Sequence, residues 1–199
     1  MFNLTVSRNE QKSTQLRDQT ERDIATDNQR EAALQEYINK MVELIMKEHL
    51  RDLPPEDEVR KIARVRTLNI LPRLDNKRKR SVLQFLHESG LIEKGNRKID
   101  LHDADLTEAD LREVGLTGTD LHGANLHGAD LRGAYLTGVS LWNVDLSEAN
   151  LKYANLWGAE LDDADLTNAD LTNTSITQQQ WEKARSLKDT TMPDGSIHP

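Results

Sequence analysis

The amino-acid sequence predicts a repeat solenoid, preceded by an α-helical cap and closed by a short C-terminal helix. Three observations carry this. Leucine occupies every fifth position, at Leu101, Leu106, Leu111, Leu116, Leu121, Leu126, Leu131, Leu136, Leu141, Leu146, Leu151, Leu156, Leu161, Leu166 and Leu171, and Ile176 takes the next slot. Two positions before each stands a small or β-branched residue, from Ile99 and Ala104 to Ala169 and Thr174. Upstream the spacing is different, with Leu34, Ile38, Met41 and Ile45 following a helical period. A period of five matches neither a helix nor an alternating strand, so each repeat places two residues inward and three outward by turning a corner. Such units bury their apolar side only by stacking on one another.

The elements follow in chain order. From about Leu16 to Leu50 there is no Pro or Gly, and Tyr37, Leu44 and Leu50 accompany the helical apolar series. The stretch through Arg30 is almost wholly polar and reads as an exposed arm. Pro54 and Pro55 end this helix and suit the first turn of a second, with Glu56, Asp57 and Glu58 at the positive end of its dipole. Val59, Ile62, Val65 and Leu68 are its expected inward side chains, up to an end near Leu71 and Pro72. Asp75 caps a third helix with Val82, Phe85 and Leu86 facing inward, and Gly90 stops it. Leu91 and Ile92 lead through Lys94, Gly95 and Asn96 into the first coil. After the repeats, Thr177 and Gln180 form a capping box for a short helix that lays Trp181 over the last coil, with Ala184 and Leu187 on the same face. Residues from Thr191 to Gly195 read as a turn before a loose tail. The expected domains are 1–95, helical; 96–177, solenoid; and 178–199, capping helix and tail.

Units such as Ala104-Asp105-Leu106-Thr107-Glu108 and Ala124-Asn125-Leu126-His127-Gly128 are repeated in tandem from about residue 99 to 177. This region resembles the pentapeptide-repeat family, whose unit reads Ala-Asp/Asn-Leu-x-x. The resemblance implies a mainly β fold, a right-handed quadrilateral β-helix with four repeats per coil and about four coils. At roughly 4.8 Å per coil the rod is about 20 Å long. Its interior is a column of Leu over a column of Ala, filled and without room for a substrate pocket.

The helical region, with Arg30-Glu31-Ala32-Ala33-Leu34-Gln35 and Ser81-Val82-Leu83-Gln84-Phe85-Leu86, is similar to a segment that precedes the repeats in many bacterial members. In those relatives a membrane-spanning helix often lies just upstream of the position of Met1-Phe2-Asn3 here. The family also often closes with a Gln-rich helix and a Pro-Asp-Gly turn. Helices in that place dimerise some members, so a homodimer is one implied state.

Composition excludes several functional classes. The chain has no cysteine, so neither a disulfide framework nor thiol chemistry is available. No apolar run approaches the ~20 residues of a bilayer span, and the first ten residues lack a signal-peptide core. A cytoplasmic location is expected, with attachment to a membrane surface through the helical arm as the alternative. Residues 1–95 hold 18 basic and 16 acidic side chains, residues 96–177 hold 5 and 15, and residues 178–199 hold 3 and 3, which sums to the overall charge of −8. The solenoid alone is acidic.

Function must therefore sit on outward positions. The chain has eight aromatic Phe, Trp and Tyr residues, and Tyr135, Trp142, Tyr153 and Trp157 fall in outward slots near one level of the rod. These are the candidate partner-binding residues. His102, His122, Trp142 and Asp162 share a column, but a metal needs three or four convergent ligands, and neither metal nor cofactor is expected. Arg112, Arg132 and Lys152 form a basic column that Asp110, Asp130 and Glu113 can neutralise, a thin footprint for nucleic acid. Arg73 to Arg80 is a denser basic cluster that could meet an anionic lipid surface, nucleic acid or the acidic rod. Asp105, Asp145 and Asp165 form an acidic column suited to a cationic partner. Members of the family that confer quinolone resistance resemble DNA and occupy gyrase, which makes a DNA mimic the runner-up reading.

No phosphate-binding Gly loop or metal motif is present. Gly118, Gly123, Gly128, Gly133, Gly138 and Gly158 are corner residues, and the paired carboxylates Asp162 and Asp163 stand on a convex surface. The expectation is a non-enzymatic scaffold that presents a rigid surface to another protein.

Overall fold

A computed structural model describes residues 2–92 and 99–199, with side chains from residue 11 onward. The expected lead-in through Lys94, Gly95 and Asn96 lies outside the described residues. The helices are α1 (Phe2–Lys47), α2 (Glu58–Ile70), α3 (Asn76–Glu88) and α4 (Gln178–Trp181), with a 3-10 turn at Leu71–Arg73 between α2 and α3.

α1 begins well before the expected Leu16. Its residues 11–32 are solvent-exposed, and burial starts with Leu34, Tyr37 and Met41. α2 also departs from expectation at its start, since Pro54 and Pro55 lie in the preceding turn and Asp57 is the cap, its carboxylate accepting from Val59 N–H at 2.8 Å. The α2 face that packs differs too. Ile62 and Val65 are 46% and 52% exposed and Val59 and Leu68 half-buried, while Arg60, Ala63, Thr67 and Ile70 are buried. The reason is local: small Ala63 and Thr67 let α1 approach, and the buried Tyr37 hydroxyl pairs with Thr67 Oγ1 at 2.8 Å. Asp75 caps α3 by accepting from Arg78 N–H at 3.0 Å, and Gly90 ends it at φ +66°.

From Ile99 onward the chain repeats one move. Isolated parallel bridges join residues twenty apart, from Asp105 with Asn125 to Asn150 with Asp170, so four pentads make one coil. All fifteen leucines of the series are at most 1% exposed, and Ile176 is 7% exposed. Each contributes roughly 1.5–3 kcal/mol of burial before chain entropy is subtracted. The expected mainly β character does not follow. Among the described residues the solenoid carries single-residue bridges, no extended strand, and α1 alone runs for 46 residues. The cause is the period itself: a two-residue turn follows every Leu, which leaves one residue per side for the ladder.

The first coil has no preceding coil, and α2 and α3 cover its edge. Arg64 Nη2 donates to His102 O at 2.9 Å, Lys79 Nζ to Thr107 O at 2.9 Å, and Asp110 N–H to Asn76 O at 3.1 Å. In later coils the equivalent carbonyls accept from main-chain N–H groups, as His122 O does from Asp103 at 3.0 Å. The cap's cations thus fill two of the hydrogen-bond positions that a preceding coil would occupy.

The C-terminal segment corrects a further expectation. α4 stops at Trp181, and the chain then returns as a further partial coil. Leu166 N–H donates to Ser186 O at 3.0 Å and Leu171 N–H to Thr191 O at 2.8 Å. Ala184 and Leu187, half-buried, therefore lie beyond the helix. The tail is tied down: Met192 N–H donates to Ser196 O at 2.7 Å and His198 N–H to Thr190 O at 2.8 Å. Backbone ladders need no apolar pattern, so sequence periodicity could not reveal this coil.

Candidate functional site

The outer surface is organised by two local devices. Where Asp or Asn precedes a Leu of the series, its side-chain oxygen accepts from the N–H two residues later, as Asp105 does from Thr107 at 3.1 Å, Asn125 from His127 at 3.0 Å and Asp165 from Thr167 at 3.0 Å. The second residue after each Leu lies in the left-handed region. There glycine is the easy occupant, but Asp103 (φ 61°), Glu108 (φ 55°) and Tyr153 (φ 62°) take it as well. Gly123 serves a neighbour directly, because a Cβ at that position would lie 2.5 Å from Asp103 Oδ1 in the coil below.

The four rings are all exposed, Trp157 at 68%, Tyr153 at 67%, Tyr135 at 56% and Trp142 at 43%. They do not form one patch. With four pentads per coil, five residues are a quarter turn, so Trp142 and Tyr153, eleven positions apart, point to opposite corners. Tyr135 bridges Asn155, and Tyr153 and Trp157 stand two residues before and after Asn155, so these two rings sit at the corners that flank the side bearing Tyr135. Trp142 belongs to a different group, an edge-to-face ladder in which His102 and His122 centroids are 4.4 Å apart and His122 and Trp142 are 4.0 Å apart. Its indole N–H reaches Asp163 Oδ2 at 3.3 Å, and His102 Nε2 lies 2.9 Å from Asp103 Oδ2.

The charged columns are used internally. Arg112 grips Asp110 through two contacts, at 2.7 and 2.6 Å, and Arg132 grips Asp130 at 2.8 and 2.6 Å. Lys152 pairs with Asp170 at 2.9 Å. The Arg112 guanidinium beside Asp110 holds that carboxyl at about 2, against burial, which acts the other way. Asp105 meets Lys79 at 3.1 Å, Asp145 accepts from Ser147 Oγ at 2.5 Å, and Asp165 meets Arg185 at 3.1 Å. Burial works against ionisation of Asp105 and Asp165, but the hydrogen bonds from Thr107 and Thr167 and the adjacent cations leave both below the usual carboxylate range.

Arg78, Lys79 and Arg80 of the basic cluster near α3 are likewise spent. Arg78 joins Asp27 at 2.8 Å and Glu31 at 3.0 Å, and also Asp75, so it ties α1 to α3. Lys79 and Arg80 face the rod, Arg80 at 3.5 Å from Asp110. Contact with the acidic rod is one of three alternatives that the sequence leaves open for this cluster, and the tie from Arg78 to α1 is not among them. One signal was available for Lys79, which shares a helix face with Val82, Leu83 and Leu86 and is buried with them. Trp181 is half-buried on the last coil, and Gln180 donates to Leu156 O at 2.8 Å and Ala159 O at 2.9 Å.

A filled rod of pentads with its chemistry confined to the outside defines a class, the repeat solenoid that works through its surface. Residues 99–138 and 140–178 match, in eight copies, the family model described as pentapeptide repeats. The chain belongs to the pentapeptide-repeat family. It is similar to a pentapeptide repeat protein from the thylakoid lumen of Arabidopsis thaliana, at 30% identity over 47% of this chain and 61% of that one, with a TM-score of 0.39. It is also similar to Rfr23 from the cyanobacterium Cyanothece 51142, at 31% identity over 50% and 64%, TM-score 0.39. A third likeness is to a pentapeptide repeat protein from Nostoc PCC 7120, at 31% identity over 45% and 78%, TM-score 0.18. The chain thus spans a little over three fifths of the first two relatives. No match is found among curated proteins. No helix among the described residues is long and apolar enough to cross a membrane.

Proposed function

We propose that this protein is a non-enzymatic protein-binding module, a right-handed quadrilateral β-helix that presents a preformed surface to a protein partner. The observation that supports this is the side bearing Tyr135, with Trp157 at one of its corners. Two large rings stand exposed there on a rod whose inward positions are filled by leucine. Exposed aromatic side chains on a rigid frame bind with little ordering cost. The acidic columns favour this reading over DNA mimicry, because their carboxylates close turns and pair with Lys79, Arg185 and the basic column.

The test is affinity capture with three baits: the unaltered protein, Tyr135→Ala/Trp157→Ala, and Trp142→Ala on a corner that does not flank this side. A protein retained by the first and third and lost by the second supports the proposal. Equal capture by all three would remove this side as the binding surface, and capture of topoisomerase subunits indifferent to the rings would favour the mimic.

A further inference from the structure

The cap holds a second surface of different chemistry. Two adjoining hollows run along α1 where it meets α2 and the 3-10 turn. One is lined by Ala33, Glu36, Tyr37, Arg66, Asn69, Ile70 and Arg73, the other by Thr26, Gln29, Arg30, Ala33 and Arg73. They share Ala33 and Arg73, so they form one groove alongside α1 from Thr26 to Tyr37. At a rise of 1.5 Å per residue that is about 16 Å, the length of roughly five extended residues.

Three arginines from three elements border this groove: Arg30 from α1, Arg66 from α2 and Arg73 from the 3-10 turn. Their state is unlike that of the cap's other arginines. Arg64, Arg78 and Arg80 are consumed by Asp100, by Asp27, Glu31 and Asp75, and by Asp110. The side chains of Arg30, Arg66 and Arg73 make no ion pair or hydrogen bond among the described residues, although Arg66 and Arg30 stand in the fields of Glu43 and Asp75. Guanidinium groups with unused donors bind carboxylates through paired N–H contacts.

We propose that this groove binds an extended acidic peptide segment of a protein partner, an inference that rests on the protein-binding reading above. The Asn69 amide can both donate to and accept from a peptide main chain, and Ala33 and Ile70 supply an apolar floor. Glu36 in the wall opposes a uniformly charged polyphosphate and suits a peptide in which charged and uncharged residues alternate.

The experiment titrates the full chain with a fluorescent decapeptide of alternating Glu and Ala at low salt. Saturable binding is expected, weaker by about tenfold or more in Arg30→Ala/Arg66→Ala/Arg73→Ala and lost as salt screens the charges. Glu36→Ala should tighten it. The Tyr135→Ala/Trp157→Ala variant should bind the peptide as the parent does, which separates this groove from the ring-bearing side. Unsaturable binding, or equal binding by the triple variant with an unchanged melting temperature, would overturn the proposal. So would preference for a single-stranded oligonucleotide or an anionic phosphatidylserine vesicle that the triple variant loses.

Discussion

Lys79 lies at 2.9 Å from the main-chain oxygen of Thr107 and 3.1 Å from Asp105 Oδ1, and so plugs a helix side chain into the hydrogen-bond position of an absent coil. The Lys79 side chain is 6% exposed, while Asp105 keeps 40% of its surface in solvent. Lys79→Met retains the stem and removes the donor. It should destabilise the chain by about 1–3 kcal/mol, because Thr107 O and Asp105 both lose a partner. Urea denaturation followed by circular dichroism checks this, and an unchanged midpoint would mean that water replaces the ammonium freely.

The corner at Gly123 predicts a coupled pair. Gly123→Ala adds a Cβ at φ +66°, and at 2.5 Å from Asp103 Oδ1. Gly90 has the same φ but nothing within 4 Å, so Gly90→Ala isolates the backbone cost, about 1 kcal/mol. Gly123→Ala should cost more than Gly90→Ala, and Asp103→Ala should recover the excess in a double-mutant cycle.

Leu131 is fully buried at mid-rod. Leu131→Ala should cost about 2–5 kcal/mol, whereas Leu16→Ala on the arm, where the side chain is 70% exposed, should cost under about 0.5 kcal/mol. Thermal melts of the two variants beside the parent measure the contrast.

Acid should loosen the basic column at a defined stage. The Asp110 carboxyl is held near 2 by Arg112, below the ordinary value of 3.8. A depressed carboxylate stabilises the fold above the unfolded value and loses that contribution as pH falls through the folded one, here between about 4 and 2. Arg112→Ala should therefore lower stability at pH 6 and narrow the gap to the parent at pH 2. A constant gap across that range would show that the pair does not report on folding.

Much of the repeat could be read from residues alone because Leu and its small partner recur without a miss, and each position's inward direction follows from the period. The Asp75 cap and the Gly90 stop are legible for a similar reason, as both act within one turn. α2 shows where such reading ends. Val59, Ile62, Val65 and Leu68 make a plausible inner face, yet Ala63 and Thr67 are buried, because contact with α1 depends on how closely two helices approach.

The candidate surface divides the same way. The sequence by itself determined that Tyr135, Trp142, Tyr153 and Trp157 point outward, since none falls on an inward position of the pentad. Only the tertiary structure decided that Tyr153 and Trp157 flank the side bearing Tyr135, that Lys79 and Arg80 face the rod, and that Arg30, Arg66 and Arg73 border one groove. Inward and outward are properties of a five-residue unit, encoded locally. Which side chains meet across coils and helices depends on turn count and docking angle, and these arise only when the whole chain packs.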